Sequence, residues 1–164
     1  MRVAVISDTH VRKHLSKIEN LIESKLKDVD LIIHAGDFTN AKTLPYIKKY
    51  FNVIAVYGNN DKEETRQILN EKEIITLENY KIGIYHGHGD SKTTLDNVSA
   101  IFENENLDII IFGHSHKPFI TTKDKTLIIN PGSPSSKRKE RFYSYIILDL
   151  LPSGIEVNLK LFSE

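Results

Sequence analysis

Short apolar runs alternate with amphipathic stretches through the first two thirds of this 164-residue chain. The run Val3–Ile6 has the length of a strand. It is followed by Leu15–Leu26, whose apolar positions repeat at close to helical spacing. The same alternation predicts two more strands, at Asp30–Ile33 and Val53–Tyr57, and two more helices, at Thr39–Tyr50 and Lys62–Asn70.

The pattern changes after residue 70, where predicted strands predominate. Ile74–Leu77 and Tyr80–Tyr85 flank a two-residue turn and predict a hairpin. A last helix is predicted over Ser91–Glu105, and the wholly apolar run Ile109–Phe112 predicts a buried central strand. Four further strands are predicted at Phe119–Thr122, Leu127–Ile129, Tyr143–Leu150 and Ile155–Leu161. This order favours an α/β fold in which two sheets pack together with helices outside.

Composition and charge narrow the class of protein. The length favours one domain over residues 1–164. Equal numbers of acids and bases, 22 each, remove the sequence-wide electrostatic case for nucleic acid or an anionic membrane. The absence of cysteine excludes disulfides, thiolate metal sites and a thiol nucleophile. No apolar stretch reaches the ~7–15 residues of a signal-peptide core or the ~18–20 of a membrane span, so a cytoplasmic location is expected.

Five of the predicted strands are each followed by residues that can bind a metal. These segments are Asp8-Thr9-His10, Gly36-Asp37, Gly58-Asn59-Asn60-Asp61, His86-Gly87-His88 and Gly113-His114-Ser115-His116. Open α/β sheets bind ligands outside the carboxyl ends of their strands, so we expect the five segments to converge on one edge. Taken alone, each segment has a structural alternative as a turn, a helix cap or a solvated loop. A metal site explains why all five occur at strand ends.

The expected donor set contains two carboxylates, one amide and four imidazoles, with no thiolate. Such a mixed set of oxygen and nitrogen donors suits Mn²⁺, Fe²⁺, Zn²⁺, Co²⁺ or Ni²⁺. Seven side chains are too many for one tetrahedral ion and suit two ions that share a bridging carboxylate, ~3.5–4 Å apart.

This order of motifs resembles the calcineurin-like metallophosphoesterase superfamily. Its series is Asp-x-His, Gly-Asp, Gly-Asn-(His or other)-(Asp or Glu), His and Gly-His-x-His, and it matches here from Asp8 to His116. The short chain, Asn60 and the segment Asn130-Pro131-Gly132-Ser133 are similar to the small YfcE-type phosphodiesterase branch. The resemblance implies a four-layer α/β/β/α sandwich. It also implies one ion held by Asp8, His10, Asp37 and His116, and a second held by Asp37, Asn59, His86 and His114.

One position departs from the pattern of many members of that superfamily. Asn60 stands where they carry a histidine, and an amide cannot act as a general acid near neutral pH. We therefore expect leaving groups that need protonation to react slowly. Asn60 could instead donate a hydrogen bond to a phosphate oxygen, and His88 is a candidate substitute acid or else a structural residue. His34 is expected to be a packed residue and His14 to lie at the solvated start of the first helix.

The expected activity is hydrolysis of a phosphodiester by a hydroxide generated between two divalent ions. Mn²⁺ is the first choice of metal, with Fe²⁺, Zn²⁺, Ni²⁺ and Co²⁺ as alternatives. A binding scaffold of the same fold is an alternative of another class, and a phosphomonoesterase or a nuclease would use the same residues.

The expected partner is a small phosphodiester substrate. The lack of a basic patch or a run of aromatic residues disfavours nucleic acid without excluding it. No membrane partner is expected, and a homo-oligomer stays open. The Ser-rich basic stretch Ser133–Arg141 is predicted to be a mobile loop, whose cations either screen an anionic substrate or are simply solvated.

Overall fold

The computed structural model describes residues 1–12 and 15–163 and builds them around two five-stranded sheets. His14 lies outside the described residues, so the prediction made for it is not addressed. The strands are β1 (Arg2–Ile6), β2 (Leu31–His34), β3 (Asn52–Ala55), β4 (Lys72–Leu77), β5 (Tyr80–Tyr85), β6 (Ile109–Ile111), β7 (Phe119–Lys123), β8 (Thr126–Asn130), β9 (Tyr143–Leu151) and β10 (Gly154–Phe162). The helices are α1 (Ser16–Lys25), α2 (Thr43–Lys48), α3 (Glu63–Arg66) and α4 (Thr94–Ile101).

The first sheet has the strand order β10-β9-β1-β2-β3. Strands β1, β2 and β3 run parallel, whereas β9 is antiparallel to both β1 and β10. All four residues of β2 are buried, as expected for a parallel strand covered on both faces. Because β1, β2 and β3 are parallel, the segments after them leave the sheet at the same edge.

The second sheet has the order β4-β5-β6-β8-β7. Strands β5, β6 and β8 are parallel, and β4 and β7 are antiparallel edge strands. The apolar run Ile109–Ile111 lies in the middle of this sheet and is fully buried, which confirms the prediction of a central strand. The predicted hairpin of β4 and β5 is confirmed as well.

Three apolar clusters show that the chain is a single α/β domain with four layers. The inner faces of the two sheets pack against each other through residues such as Val5, Ile33, Ile84 and Ile111. Helices α1 and α2 cover the outer face of the first sheet, and α4 covers that of the second. The order helix, sheet, sheet, helix is the expected α/β/β/α sandwich.

The helices are shorter than their apolar patterns predict. Helix α3 spans only Glu63–Arg66, because the chain beyond it turns and Asn70 forms a β-bridge with Val56. Helix α4 begins at Thr94, where the side chains and backbones of Thr93 and Asp96 form a capping box. Among the described residues, no helix has both the length and the apolar composition needed to cross a membrane.

Candidate metal centre

The carboxyl ends of the parallel strands in both sheets meet at one edge of the sandwich. The first sheet contributes three candidate ligands directly after β1 and β2, namely Asp8, His10 and Asp37. The second sheet contributes three after β5 and β6, namely His86, His114 and His116. Two groups of side chains able to hold a metal form here, and each takes residues from both sheets. The predicted convergence of strand ends is therefore confirmed.

The first group consists of Asp8, His10 and His116. His116 Nε2 lies 3.2 Å from Asp8 Oδ1 and 3.1 Å from His10 Nε2, and the two imidazole rings are stacked. The other ring nitrogen of His116 contacts the carbonyl oxygen of Ser136. A carbonyl only accepts hydrogen bonds, so this contact places the proton on Nδ1. In the neutral ring Nε2 then keeps its lone pair for a metal.

The second group consists of Asp8, Asp37 and His86. Asp37 Oδ2 lies 3.3 Å from His86 Nε2 and 3.4 Å from His10 Nε2, so it sits between the two groups. Asp8 Oδ1 lies 3.9 Å from His86 Nε2 and also belongs to both groups. His86 Nδ1 donates to the carbonyl oxygen of Ala35 at 2.7 Å, which again leaves Nε2 as the metal-binding nitrogen.

Two buried atoms at the centre of these groups lack a hydrogen-bond partner within the described chain. They are Asp8 Oδ1 and His86 Nε2, and both residues are fully buried. A buried polar atom without a partner destabilises the fold unless a water or an ion satisfies it. A carboxylate oxygen and an imidazole nitrogen are donors that divalent transition metals accept. The residues present therefore fit a metal ion.

The electrostatics of the centre keep both carboxylates ionised. Burial raises the pKa of Asp8, but the close contacts with His10 and His116 and the neighbouring His86 outweigh it, so the net pKa lies well below its usual range. Burial also raises the pKa of Asp37, and the contacts with His86 and Asn60 bring it below its usual range. The centre thus holds two anionic carboxylates at neutral pH, which attracts a cation.

The two remaining candidate ligands lie beside the second group. His114 Nδ1 is 3.0 Å from Asn59 Oδ1, and the rings of His114 and His86 meet edge to face at 5.3 Å. Asn60 donates twice to Asp37, from its backbone N–H to Oδ1 at 2.8 Å and from Nδ2 to Oδ2 at 2.7 Å. All seven candidate ligands therefore lie in one place, and Asn60 orients one of them.

His88 belongs to neither of the two groups. Its Nε2 is 3.3 Å from Glu71, and its ring is 5.7 Å from that of His86. The ring packs beside Tyr57 and Tyr85. Burial, with the neighbouring His86 in addition, lowers the pKa of His88. These contacts leave both the catalytic and the structural interpretation of His88 as predictions.

Five of the candidate ligands have left-handed backbone conformations. Their φ angles lie between 42° and 67°, and they are Asp8, His10, Asp37, His114 and His116. Such conformations are uncommon outside glycine, although Asp and His adopt them more readily than most residues. Strained backbone of this kind concentrates at functional sites, where the surrounding structure has to hold it.

Two glycines let the backbone approach these strained segments closely. A Cβ atom on Gly58 would lie 2.2 Å from Asp37 Oδ1, and one on Gly113 would lie 1.8 Å from Ser7 Oγ. Ser7 in turn donates to Asp8 Oδ2 at 2.8 Å. Glycine is required at both positions because any side chain would displace the carboxylates of the centre.

Asp61 supports the centre in a way that its position in the sequence did not predict. Its carboxylate accepts hydrogen bonds from the backbone N–H groups of Asp37, Thr39 and Gly58 at 2.8–2.9 Å. Two of these partners, Asp37 and Thr39, have φ angles of 63° and 61°. Asp61 therefore fixes the strained turn that carries Asp37. Its place in the strand-end segment after β3 was the only indication of a role.

The segment after β8 packs against the loop that carries Asp8. Ser133 Oγ donates to the carbonyl oxygen of Asp8 at 2.7 Å, and Ser135 Oγ donates to that of Thr9. Ser133, Pro134 and Ser135 are buried. The prediction of a mobile loop over Ser133–Arg141 is therefore wrong for its first three residues, because they are buried and the two serine hydroxyls bond backbone carbonyls more than a hundred residues away.

His34 is a packed residue, as expected. It is fully buried and stacks on Phe38, with ring centroids 3.6 Å apart. Its Nδ1 accepts from the backbone N–H of Gly36, and its Nε2 lies 3.1 Å from Thr9 Oγ1. Burial lowers the pKa of His34 to about 3, so the ring is neutral and positions the loops after β1 and β2.

The sequence and the fold were compared with those of known proteins. A model described as the calcineurin-like phosphoesterase superfamily domain matches residues 1–152. A probable metallophosphoesterase of Methanocaldococcus jannaschii is 35% identical over 143 residues, covering 84% of this chain and 70% of the relative. A phosphodiesterase of the same organism is 32% identical over 145 residues, covering 80% and 83%. The solved structure of an archaeal phosphodiesterase superposes with a TM-score of 0.81 at 26% identity, covering 99% and 100%.

Proposed function

The chain belongs to the calcineurin-like phosphoesterase superfamily, and on that premise we propose that it is a phosphodiesterase that uses two divalent metal ions. The observation that carries the proposal is the pair of three-residue groups that share Asp8. Asp37 Oδ2 also lies between them, within 3.4 Å of a histidine nitrogen on each side. Two adjoining groups with shared carboxylates are what two neighbouring ions require.

The proposed ligand sets are those that the family resemblance implies. The first contains the whole group Asp8, His10 and His116, and the second contains Asp37 and His86 of the other group. Asp8, His10, Asp37 and His116 would hold one ion, and Asp37, Asn59, His86 and His114 the other. When bound, such ions lower the pKa of a water to near neutrality and neutralise charge on the phosphate. Mn²⁺ is the proposed metal, and Fe²⁺, Zn²⁺, Ni²⁺ and Co²⁺ have the same preference for these donors.

Hydrogen bonds within the protein orient the side chains that would bind the ions and the phosphate. Ser136 and Ala35 accept the Nδ1 protons of His116 and His86, so each ring presents Nε2 to the centre. Asn60 Nδ2 donates one N–H to Asp37 and has a second N–H available for a phosphate oxygen. His88 Nε2 lies 3.3 Å from Glu71, so the proposal includes no proton from His88 to the leaving group.

This arrangement supports a diester or an activated ester as the substrate. An aryl or other good leaving group departs without a proton, whereas an unactivated monoester needs one. The name of the phosphodiesterase relative, at 32% identity, supports the same choice. A small phosphodiester as substrate and a location in the cytoplasm are parts of this proposal.

Hydrolysis of bis(4-nitrophenyl) phosphate with added Mn²⁺ tests the proposal. Asp37→Ala and His114→Ala should abolish metal-dependent turnover while the circular dichroism spectrum stays native. Asp28→Ala removes an exposed carboxylate from a turn outside the centre and serves as the matched control. Full activity of metal-depleted Asp37→Ala would refute the two-metal scheme.

A comparison of substrates tests the choice of a diester. Sugar monophosphates should be hydrolysed much more slowly than the aryl diester. Comparable rates would contradict the role given to Asn60 and would favour a phosphomonoesterase. Wild-type turnover no greater than that of free Mn²⁺ would instead favour a binding scaffold of the same fold.

A further inference from the structure

A cavity of about 740 Å³ adjoins the candidate metal centre. His10 and Asn60, which both contact Asp37, form part of its wall, so the cavity is continuous with the place where a phosphate would bind. Arg12, Lys17 and Arg138 are among the other lining residues. Its volume is within the range of about 300–1,000 Å³ that is usual for small-molecule sites.

The charge of this cavity is one-sided. Arg12, Lys17 and Arg138 line it, and none of the described lining residues is acidic. Lys17 Nζ donates to the carbonyl oxygen of Ser135 at 3.3 Å and lies over the ring of Tyr143, so its charge is held against the wall. Within the described part of the chain, no carboxylate pairs with Arg12 or Arg138.

A simple phosphodiester would not need these cations. Two divalent ions against the two carboxylates leave about two positive charges by formal counting. A hydroxide and the single negative charge of a diester would balance them. The guanidinium groups of Arg12 and Arg138 in the adjoining wall pair with no described carboxylate and are not needed for this balance. A guanidinium fork is well suited to a second carboxylate or phosphate.

We propose that this cavity binds a second anionic group on the substrate, carried by one of the groups esterified to the scissile phosphate. Arg12 and Arg138 would bind that carboxylate or phosphate. The inference rests on the proposed function, because it extends the substrate of the same centre. It makes Arg12 and Arg138 specificity-determining residues.

A pair of product-like ligands tests the proposal without requiring turnover. Phenyl phosphate and 4-carboxyphenyl phosphate differ by one carboxylate, and their binding to the Mn²⁺-loaded protein can be compared by calorimetry. The wild-type protein should bind the carboxylate-bearing ligand about fivefold or more tightly, a typical contribution of a charge-assisted contact in a partly exposed site. That preference should weaken as ionic strength rises.

Arg12→Gln and Arg138→Gln should each reduce the preference towards unity. Lys139→Gln removes an exposed cation from the same loop outside the cavity and should leave the preference unchanged. Equal affinity of the wild-type protein for both ligands would overturn the inference. An equal loss of affinity for both ligands in the arginine variants would also overturn it, since the arginines would then bind the phosphate itself.

Turnover of bis(4-nitrophenyl) phosphate separates this result from the parent proposal. Normal turnover without a preference for the carboxylate-bearing ligand would refute only the second anion site. If neither ligand binds and the aryl diester is not hydrolysed, both the phosphodiesterase function and the second anion site are refuted.

Discussion

Replacing Asp61 by asparagine isolates the contribution of one buried carboxylate to the geometry of the centre. The carboxylate accepts from Asp37 and Gly58 through Oδ2 and from Thr39 through Oδ1. Asparagine has the same shape but only one accepting oxygen. If that oxygen keeps the first two partners, the new NH₂ group faces the N–H of Thr39, and this donor is left unpaired.

Two opposing effects decide the magnitude. Loss of one hydrogen bond to a charged acceptor costs about 1.5–3 kcal/mol, and the unpaired N–H is part of that cost. In the other direction, burial raises the pKa of Asp61, so the neutral amide relieves part of the cost of burying the charge. We expect the hydrogen-bond loss to dominate, with a net destabilisation of about 1–3 kcal/mol.

Urea unfolding of the metal-free protein measures this change. With a typical slope of about 2 kcal/mol per molar, the midpoint should fall by roughly 0.5–1.5 M urea. Because the turn carrying Asp37 loses its support, Mn²⁺ affinity measured by calorimetry should also fall, by about tenfold or more. Asp108→Asn is the matched control, since Asp108 accepts a single backbone N–H, that of Lys81, at an exposed position away from the centre.

The result that refutes this reasoning is specific. If Asp61→Asn unfolds at the same urea concentration as the wild-type protein and binds Mn²⁺ equally well, then Asp61 does not hold the turn. Destabilisation without a change in Mn²⁺ affinity would show that Asp61 supports the fold but not the position of Asp37.

Three further predictions concern the same edge of the sandwich. Gly58→Ala places a Cβ atom 2.2 Å from Asp37 Oδ1, so diesterase activity should fall at least about tenfold while the circular dichroism spectrum stays native. Unchanged kinetics would show that the clash is relieved without moving Asp37. His34 has a pKa of about 3 in the folded protein against 6.5 when unfolded, so the unfolded state takes up the proton first as pH falls. The free energy of unfolding of the metal-free protein should therefore decrease between about pH 6.5 and 3, by up to about 1.4 kcal/mol per pH unit from His34. Denaturant titrations should show a smaller pH dependence for His34→Gln, and an identical pH dependence would contradict the low pKa of His34. Mn²⁺ at about a hundred times its dissociation constant should stabilise the wild-type protein by about 2.7 kcal/mol; Asp8→Asn should lose most of this gain in a thermal melt, and an undiminished gain would place the ion elsewhere.

The parts of the centre that the sequence predicted are those fixed by strand order. An apolar run such as Ile109–Ile111 is recognisable because a buried parallel strand needs apolar residues on both faces. The residues directly after such a strand then lie at the edge of the sheet. His114 and His116 could therefore be placed from local pattern alone.

The parts that escaped prediction depend on contacts between distant segments. Ser133 belongs to a polar stretch of the sequence, yet its hydroxyl bonds to the carbonyl oxygen of Asp8, 125 residues away. The role of Asp61 depends on three backbone N–H groups whose positions only the folded chain defines. Side-chain direction after a strand is equally invisible, which is why the orientation of His88 towards Glu71 was not anticipated.

Both groups of candidate ligands take residues from both sheets, and this has a consequence for how the protein comes apart. His116 and His86 follow strands of the second sheet, whereas Asp8 and Asp37 follow strands of the first. The two sheets cannot separate without dividing both groups. An ion bound there would link the two sheets, so that neither sheet could unfold while the other kept the ion. The metal-loaded protein should then exchange the amide hydrogens of β1 and β6 more slowly than the apoprotein, as a single cooperative unit.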